Sequence, residues 1–234
     1  MLWYKNWLET RWLLVLLTVP YAALLLLAAM HESSLQATPQ PSQALTILRS
    51  TAMTYFVATL AIVLAGTGVN PQKRLYGRKE NSQGRTLFTL SLPVTRLRLL
   101  AVRAGLGWLE VAAGIAAICA GMWAGVDAIR ATVAPLEMFK YAMALVASAT
   151  GVYALGVLLF TVVKDRALLW AAMMALLQIL DWRQVSVSAE TGWSLGEAST
   201  TAAFVMPWPT MGVSVACGAC LFAAALKIVR TRDY

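Results

Sequence analysis

The chain has 234 residues, of which 59% are hydrophobic and only 13% charged, and its mean hydropathy is +0.67. Soluble domains carry roughly 45–50% apolar and about 25% charged residues, and a chain of this size has too little interior to hide the excess, so a small soluble fold is excluded. The formal charge of +8, from 19 basic and 11 acidic residues, is explained by basic loops held on the cytoplasmic side of a membrane rather than by binding to nucleic acid.

The first element is an amphipathic stretch over residues 1–11. Wound as a helix, it collects Met1, Trp3, Tyr4, Trp7, Leu8 and Trp12 on one face and Lys5, Asn6, Glu9 and Thr10 on the other. Such a helix lies in the membrane interface before the chain turns inward. A hydrocarbon core about 30 Å thick needs roughly 20 apolar residues in helical form. Six segments supply them: Trp12 to Met30, Thr46 to Val69, Leu99 to Ala124, Leu136 to Val163, Ala167 to Leu180, and Trp208 to Ile228. The first is read as a retained span, because its apolar run exceeds a signal peptide's and no small-x-small cleavage site precedes His31. The expected fold class is therefore all-α: one polytopic membrane domain over residues 1–234, with six transmembrane helices and an N-terminal interfacial helix.

Charge orients these spans. Fifteen of the nineteen basic residues fall at the termini and in the two even-numbered loops, and four (Arg49, Arg130, Lys140 and Arg183) fall on the other side. The positive-inside rule then places both termini in the cytoplasm. Eight of the nine tryptophans sit near predicted span edges, where indole prefers the headgroup level, and Trp108 alone lies deeper. Small residues repeat every four positions at Ala113, Ala117, Gly121 and Gly125, and again at Gly212, Ala216, Cys220 and Ala224. These stripes are expected at close helix contacts inside the bundle, with a homodimer seam as the alternative. In the outer loop over 181–207, Ser194-Leu-Gly-Glu197 is a capping-box pattern that predicts a short helix running to Phe204 and ended by Pro207 and Pro209.

The cytoplasmic loop over 70–98 differs from the others. Its first half is basic and broken by Pro71, Gly77 and Gly84. Its second half, Arg85 to Leu92, holds two helical turns' worth of residues bearing Leu87, Phe88, Leu90 and Leu92. So short a helix is unstable alone in water, and this one must dock on the membrane surface or on a partner protein. Arg103 and Glu110 stand seven residues apart on one face of the third span, a candidate intramembrane polar site.

Gly84-Arg-Thr-Leu-Phe-Thr-Leu-Ser-Leu-Pro-Val-Thr-Arg96, preceded by Glu80, resembles the acid, Gly-Thr, Ser-Leu-Pro-Val-Ser-Arg stretch of permease subunits of ATP-binding cassette transporters of the second, type V exporter class. Arg85 splits the usual Gly-Thr pair, and Thr95 stands where serine is common. The resemblance implies that Glu80, Gly84, Thr86, Leu87, Phe88, Leu90, Ser91, Leu92, Pro93 and Arg96 form the segment that couples to a separate ATPase subunit. It further implies a second permease copy or sister permease, ATP and Mg bound on the partner chain rather than on this one, residence in a bacterial cytoplasmic membrane, and short helices that close the outer end of the pathway.

The chain lacks its own phosphate loop, since no glycine precedes any lysine. It also lacks His-Glu-x-x-His and Gly-x-Ser-x-Gly motifs. Cys217-Gly-Ala-Cys220 has redox spacing but stands in an apolar run, and His31 is the only histidine, so the cysteines are read as packing residues. The expected function is transport without covalent chemistry. A membrane-embedded enzyme, which would gather Arg103, Glu110 and Asp165 in one polar pocket, and a non-transporting anchor or immunity protein are the rivals. Apolar spans with few polar side chains favour a lipid-like or amphipathic cargo.

Overall fold

The computed structural model describes residues 51–69, 96–162, 193–195 and 202–231, together with Val15, Val19, Ala23 and Leu48. Five helices and one hairpin follow in chain order: α1 (Thr51–Val69), α2 (Arg96–Gly125), α3 (Asp127–Thr132), α4 (Pro135–Val162), the antiparallel strands β1 (Trp193–Leu195) and β2 (Ala202–Phe204), and α5 (Trp208–Thr231). Among the described residues, three helices are long and apolar enough to cross a membrane, namely α2 from Leu100, α4 and α5. The expected spans Leu99–Ala124, Leu136–Val163 and Trp208–Ile228 are found in these positions to within a few residues. The second expected span is described from Thr51 on, with Leu48 also helical. The interfacial helix over 1–11, most of the first span and the span Ala167–Leu180 lie outside the described residues; Val15, Val19 and Ala23 are helical and exposed.

Local chemistry explains where the helices stop and start. Gly125 ends α2, and Val126 and Val133 adopt extended backbone on either side of the six-residue α3. Pro135 occupies the first position of α4, where its missing N–H costs nothing, and Glu137 complements the helix dipole in the first turn. Pro209 stands in the first turn of α5 for the same reason.

Helix α4 is the centre of the bundle and touches α1, α2 and α5. The directions follow from paired contacts. Trp108 of α2 meets Thr150 and Ala104 meets Tyr153, so α2 runs antiparallel to α4. Ser214 meets Ala147 while Gly218 lies against Thr150, so α5 runs parallel to α4. Leu48 meets Tyr141 near the start of α4, and Leu64 lies by Gly107 and Tyr153, so α1 also runs parallel to α4.

The bundle thus has two chemically different ends. At one, α1 and α4 finish, α2 begins and α5 finishes; it carries Arg96, Arg98, Arg103, Lys227 and Arg230, and no acidic side chain among the described residues. At the other, Arg130 and Lys140 are each paired, with Asp127 and Glu137, at 2.7 Å. The chain leaves α1 and enters α2 at the basic end. It leaves α4 at the basic end but returns at Trp193 at the opposite end.

The hairpin corrects the expectation of a capped helix from Ser194 to Phe204. Ser194 pairs with Ala203 and Trp193 with Phe204 as strands, and the strand ends are tied to α4. Trp193, Tyr141 and Phe204 form one aromatic cluster, with ring centroids 5.0–5.6 Å apart. The backbone N–H of Phe204 donates to Glu137 Oε2 at 2.7 Å. A local capping pattern, worth about 1 kcal/mol, is outweighed by three buried aromatic pairs at about 0.5–1.5 kcal/mol each beyond their burial and a charge-assisted hydrogen bond.

Candidate functional site

Of the residues expected to couple to an ATPase, Glu80, Gly84, Thr86, Leu87, Phe88, Leu90, Ser91, Leu92 and Pro93 lie outside the described residues. Arg96 is the first residue of α2, at the basic end. The candidate intramembrane site is described in full. Arg103 is half-buried two turns into α2, and Glu110, near that helix's midpoint, is 3% exposed. Seven residues of helix separate them by about 10 Å along the axis.

Helix α4 brings Tyr153 toward Glu110. Tyr153 is buried and within electrostatic reach of Glu110, and its hydroxyl donates to Ala104 O at 2.8 Å. Gly107 makes this approach possible, because a Cβ there would collide with the Tyr153 hydroxyl. One turn along α4, Thr150 Oγ1 accepts from Trp108 Nε1 at 3.0 Å and donates to Val146 O at 2.9 Å. Ser214 Oγ of α5 donates to Ala147 O at 2.9 Å. The interior is therefore crossed by a seam of hydroxyl and indole groups that link α2, α4 and α5, with the Glu110 carboxyl beside it. In hydrocarbon such groups must satisfy one another.

Sequence reading found Glu110 but not Tyr153, Thr150 or Ser214. The signal for the two on α4 was the cluster Ser148-Ala-Thr150-Gly151-Val-Tyr153, the polar stretch in the middle of the fourth span; nothing local marked Ser214. Trp108, the tryptophan that departs from the interfacial pattern, is accounted for by its hydrogen bond to Thr150. Trp193, expected at the outer interface, stands at the end opposite the basic one and is 2% exposed, packed in the hairpin's aromatic cluster.

The small-residue stripes do not make the expected contacts inside the described bundle, which leaves the homodimer seam as the alternative for these faces. Ala113, Ala117, Gly121 and Gly125 are exposed, as are Gly212, Ala216 and Cys220, and nothing approaches a Cβ built on Gly121 or Gly212 within 4 Å. The close contacts use Gly107, Gly151 and Gly218. Four-residue spacing alone did not distinguish these faces, because a glycine fits equally well against a neighbour or an open face. Cys119 is buried, whereas Cys217 and Cys220 are exposed.

Among the described residues no group of three or more His, Cys, Asp or Glu side chains gathers to hold a metal ion. Asp165, the third member of the polar pocket that an embedded enzyme would need, lies outside them. The polar seam can hold helices in register and keep an acid at mid-depth. Compared with known proteins, the chain matches no family profile, no curated sequence and no solved structure.

Proposed function

We propose that this chain is the membrane-spanning permease subunit of an ATP-driven exporter, moving an amphipathic substrate with energy from a separate ATPase subunit. The observation that carries the reading is the segment Gly84 to Arg96, which resembles the coupling segment of type V permeases and bears Leu87, Phe88, Leu90 and Leu92 in an otherwise polar loop. Its placement supports the reading, since α1 and α2 meet the loop at the same, basic end. By the positive-inside rule that end faces the compartment that holds ATP.

The six-span count belongs to the same proposal. The chain changes ends between Val162 and Trp193, and α4, at 28 residues, is about 42 Å long. A fifth crossing over Ala167–Leu180 accounts for that return, and the interfacial helix and first span complete the layout. Closure of two ATPase subunits would push on the coupling segments of two permease copies and rock their spans about the polar seam.

Replacing Phe88 and Leu90 by aspartate is expected to abolish co-purification of an ATP-binding cassette subunit while leaving membrane insertion intact. An ATPase that stays bound to the double variant would contradict the coupling assignment.

A further inference from the structure

We infer that the inner end of α5 is a binding site for an anionic phospholipid, with Lys227 and Arg230 holding its headgroup. The inference rests on the membrane-spanning reading above and concerns a surface that reading leaves without a role. Helix α5 is the outlying member of the bundle: only 11% of its spanning window is buried, against 44% for α2 and 50% for α4. Its exposed face runs from Val213 through Ala216, Cys217, Cys220 and Ala223 to Lys227 and Arg230, one continuous strip at three- and four-residue spacing.

That strip is apolar along the helix and doubly cationic at its end. Lys227 and Arg230 are both exposed and make no ion pair among the described residues. No acidic side chain among the described residues lies at that end. The positive-inside rule and the helix dipole favour basic residues at this end; what sets a headgroup between these two is their place one turn apart on the exposed strip.

Depth selects the occupant. Lys227 stands four residues, about 6 Å, inside the end of α5, so its ammonium reaches headgroup level by running its methylenes along the apolar flank. A soluble acidic protein docked at the basic end would meet the helix tip, whereas acyl chains already cover the flank of a helix so little buried. One ammonium and one guanidinium suit a phosphodiester bearing a net negative charge.

The test is reconstitution of the full chain in nanodiscs of phosphatidylcholine mixed with phosphatidylglycerol, measuring the association of spin-labelled phosphatidylglycerol against spin-labelled phosphatidylcholine. The wild-type chain is expected to prefer the anionic lipid. K227Q/R230Q should weaken that site on the order of 30-fold. K227R/R230K should restore it, and R130Q, at the opposite end, should leave it unchanged. High salt should erode the preference. The assignment is overturned if the glutamine double variant keeps the wild-type preference, if inorganic phosphate competes the lipid away, or if that variant loses a bound ATPase with lipid preference intact. A chain that enters no disc would overturn the membrane-spanning reading itself, an outcome distinct from insertion without lipid selectivity.

Discussion

Helices α4 and α5 are built from nearly the same material and play different parts. Both are apolar and long enough to cross a bilayer, at 28 and 24 residues, yet half of the spanning window of α4 is buried and about a tenth of that of α5. Hydropathy decides that a segment belongs in lipid. It does not decide how many neighbours the segment has, because lipid tails are as apolar as leucine and supply no drive to bury it further. What separates the two helices is polar and steric detail. Tyr141, Thr150 and Tyr153 give α4 hydroxyls that bond to the α1 segment, α2 and its own backbone, while α5 offers Ser214 and Gly218 on one side and an open strip on the other.

The comparison breaks most visibly at the glycines that admit α4. Gly107→Leu would drive a side chain into Tyr153 and part α2 from α4, and is expected to cost about 3 kcal/mol, read as a lower denaturant midpoint in a detergent unfolding titration. On the outlying helix, Gly218→Leu should also destabilise, since Thr150 O stands 3.2 Å from a Cβ built at Gly218, but by less, because α5 yields more easily. Glu137→Gln tests the tie between α4 and the hairpin: it removes the charge that binds Lys140 and Phe204 N–H, and a loss of about 1 kcal/mol is expected. The smallest effect has the opposite sign. Gly212→Ala, on the open strip of α5, should stabilise by ~0.5 kcal/mol through backbone entropy. A loss there comparable to that at Gly107 would mean the strip is a packed seam and not a lipid-facing surface.

The spans were legible in the sequence because a run of apolar residues of membrane length has few alternatives, and α2, α4 and α5 follow the expected boundaries closely. The faces were not. Ala113, Ala117, Gly121 and Gly125 look like a contact stripe, yet the contact is made by Gly107, whose partner Tyr153 is 46 positions away in the chain. No local spacing carries that information. The hairpin was missed for the same reason: Ser194 to Glu197 satisfies a helix-start pattern, while the competing contacts of Trp193 and Phe204 come from Tyr141 and Glu137, more than fifty residues earlier. Of the candidate site, Glu110 was visible because an acid in an apolar span stands out, and Tyr153 and Thr150 were not, because single hydroxyls in a span are common.

The account depends on the basic end of the bundle facing the cytoplasm, where a nucleotide-hydrolysing partner would meet the loop between α1 and α2. Single cysteines placed at Arg130 and at Thr231, in a chain with its three native cysteines replaced by serine, report this through labelling of intact cells with a membrane-impermeant maleimide. The cysteine at 130 should be labelled from outside, and that at 231 only after the membrane is permeabilised. Labelling at 231 in intact cells, with 130 protected, would place the coupling segment on the wrong side of the membrane and contradict the account.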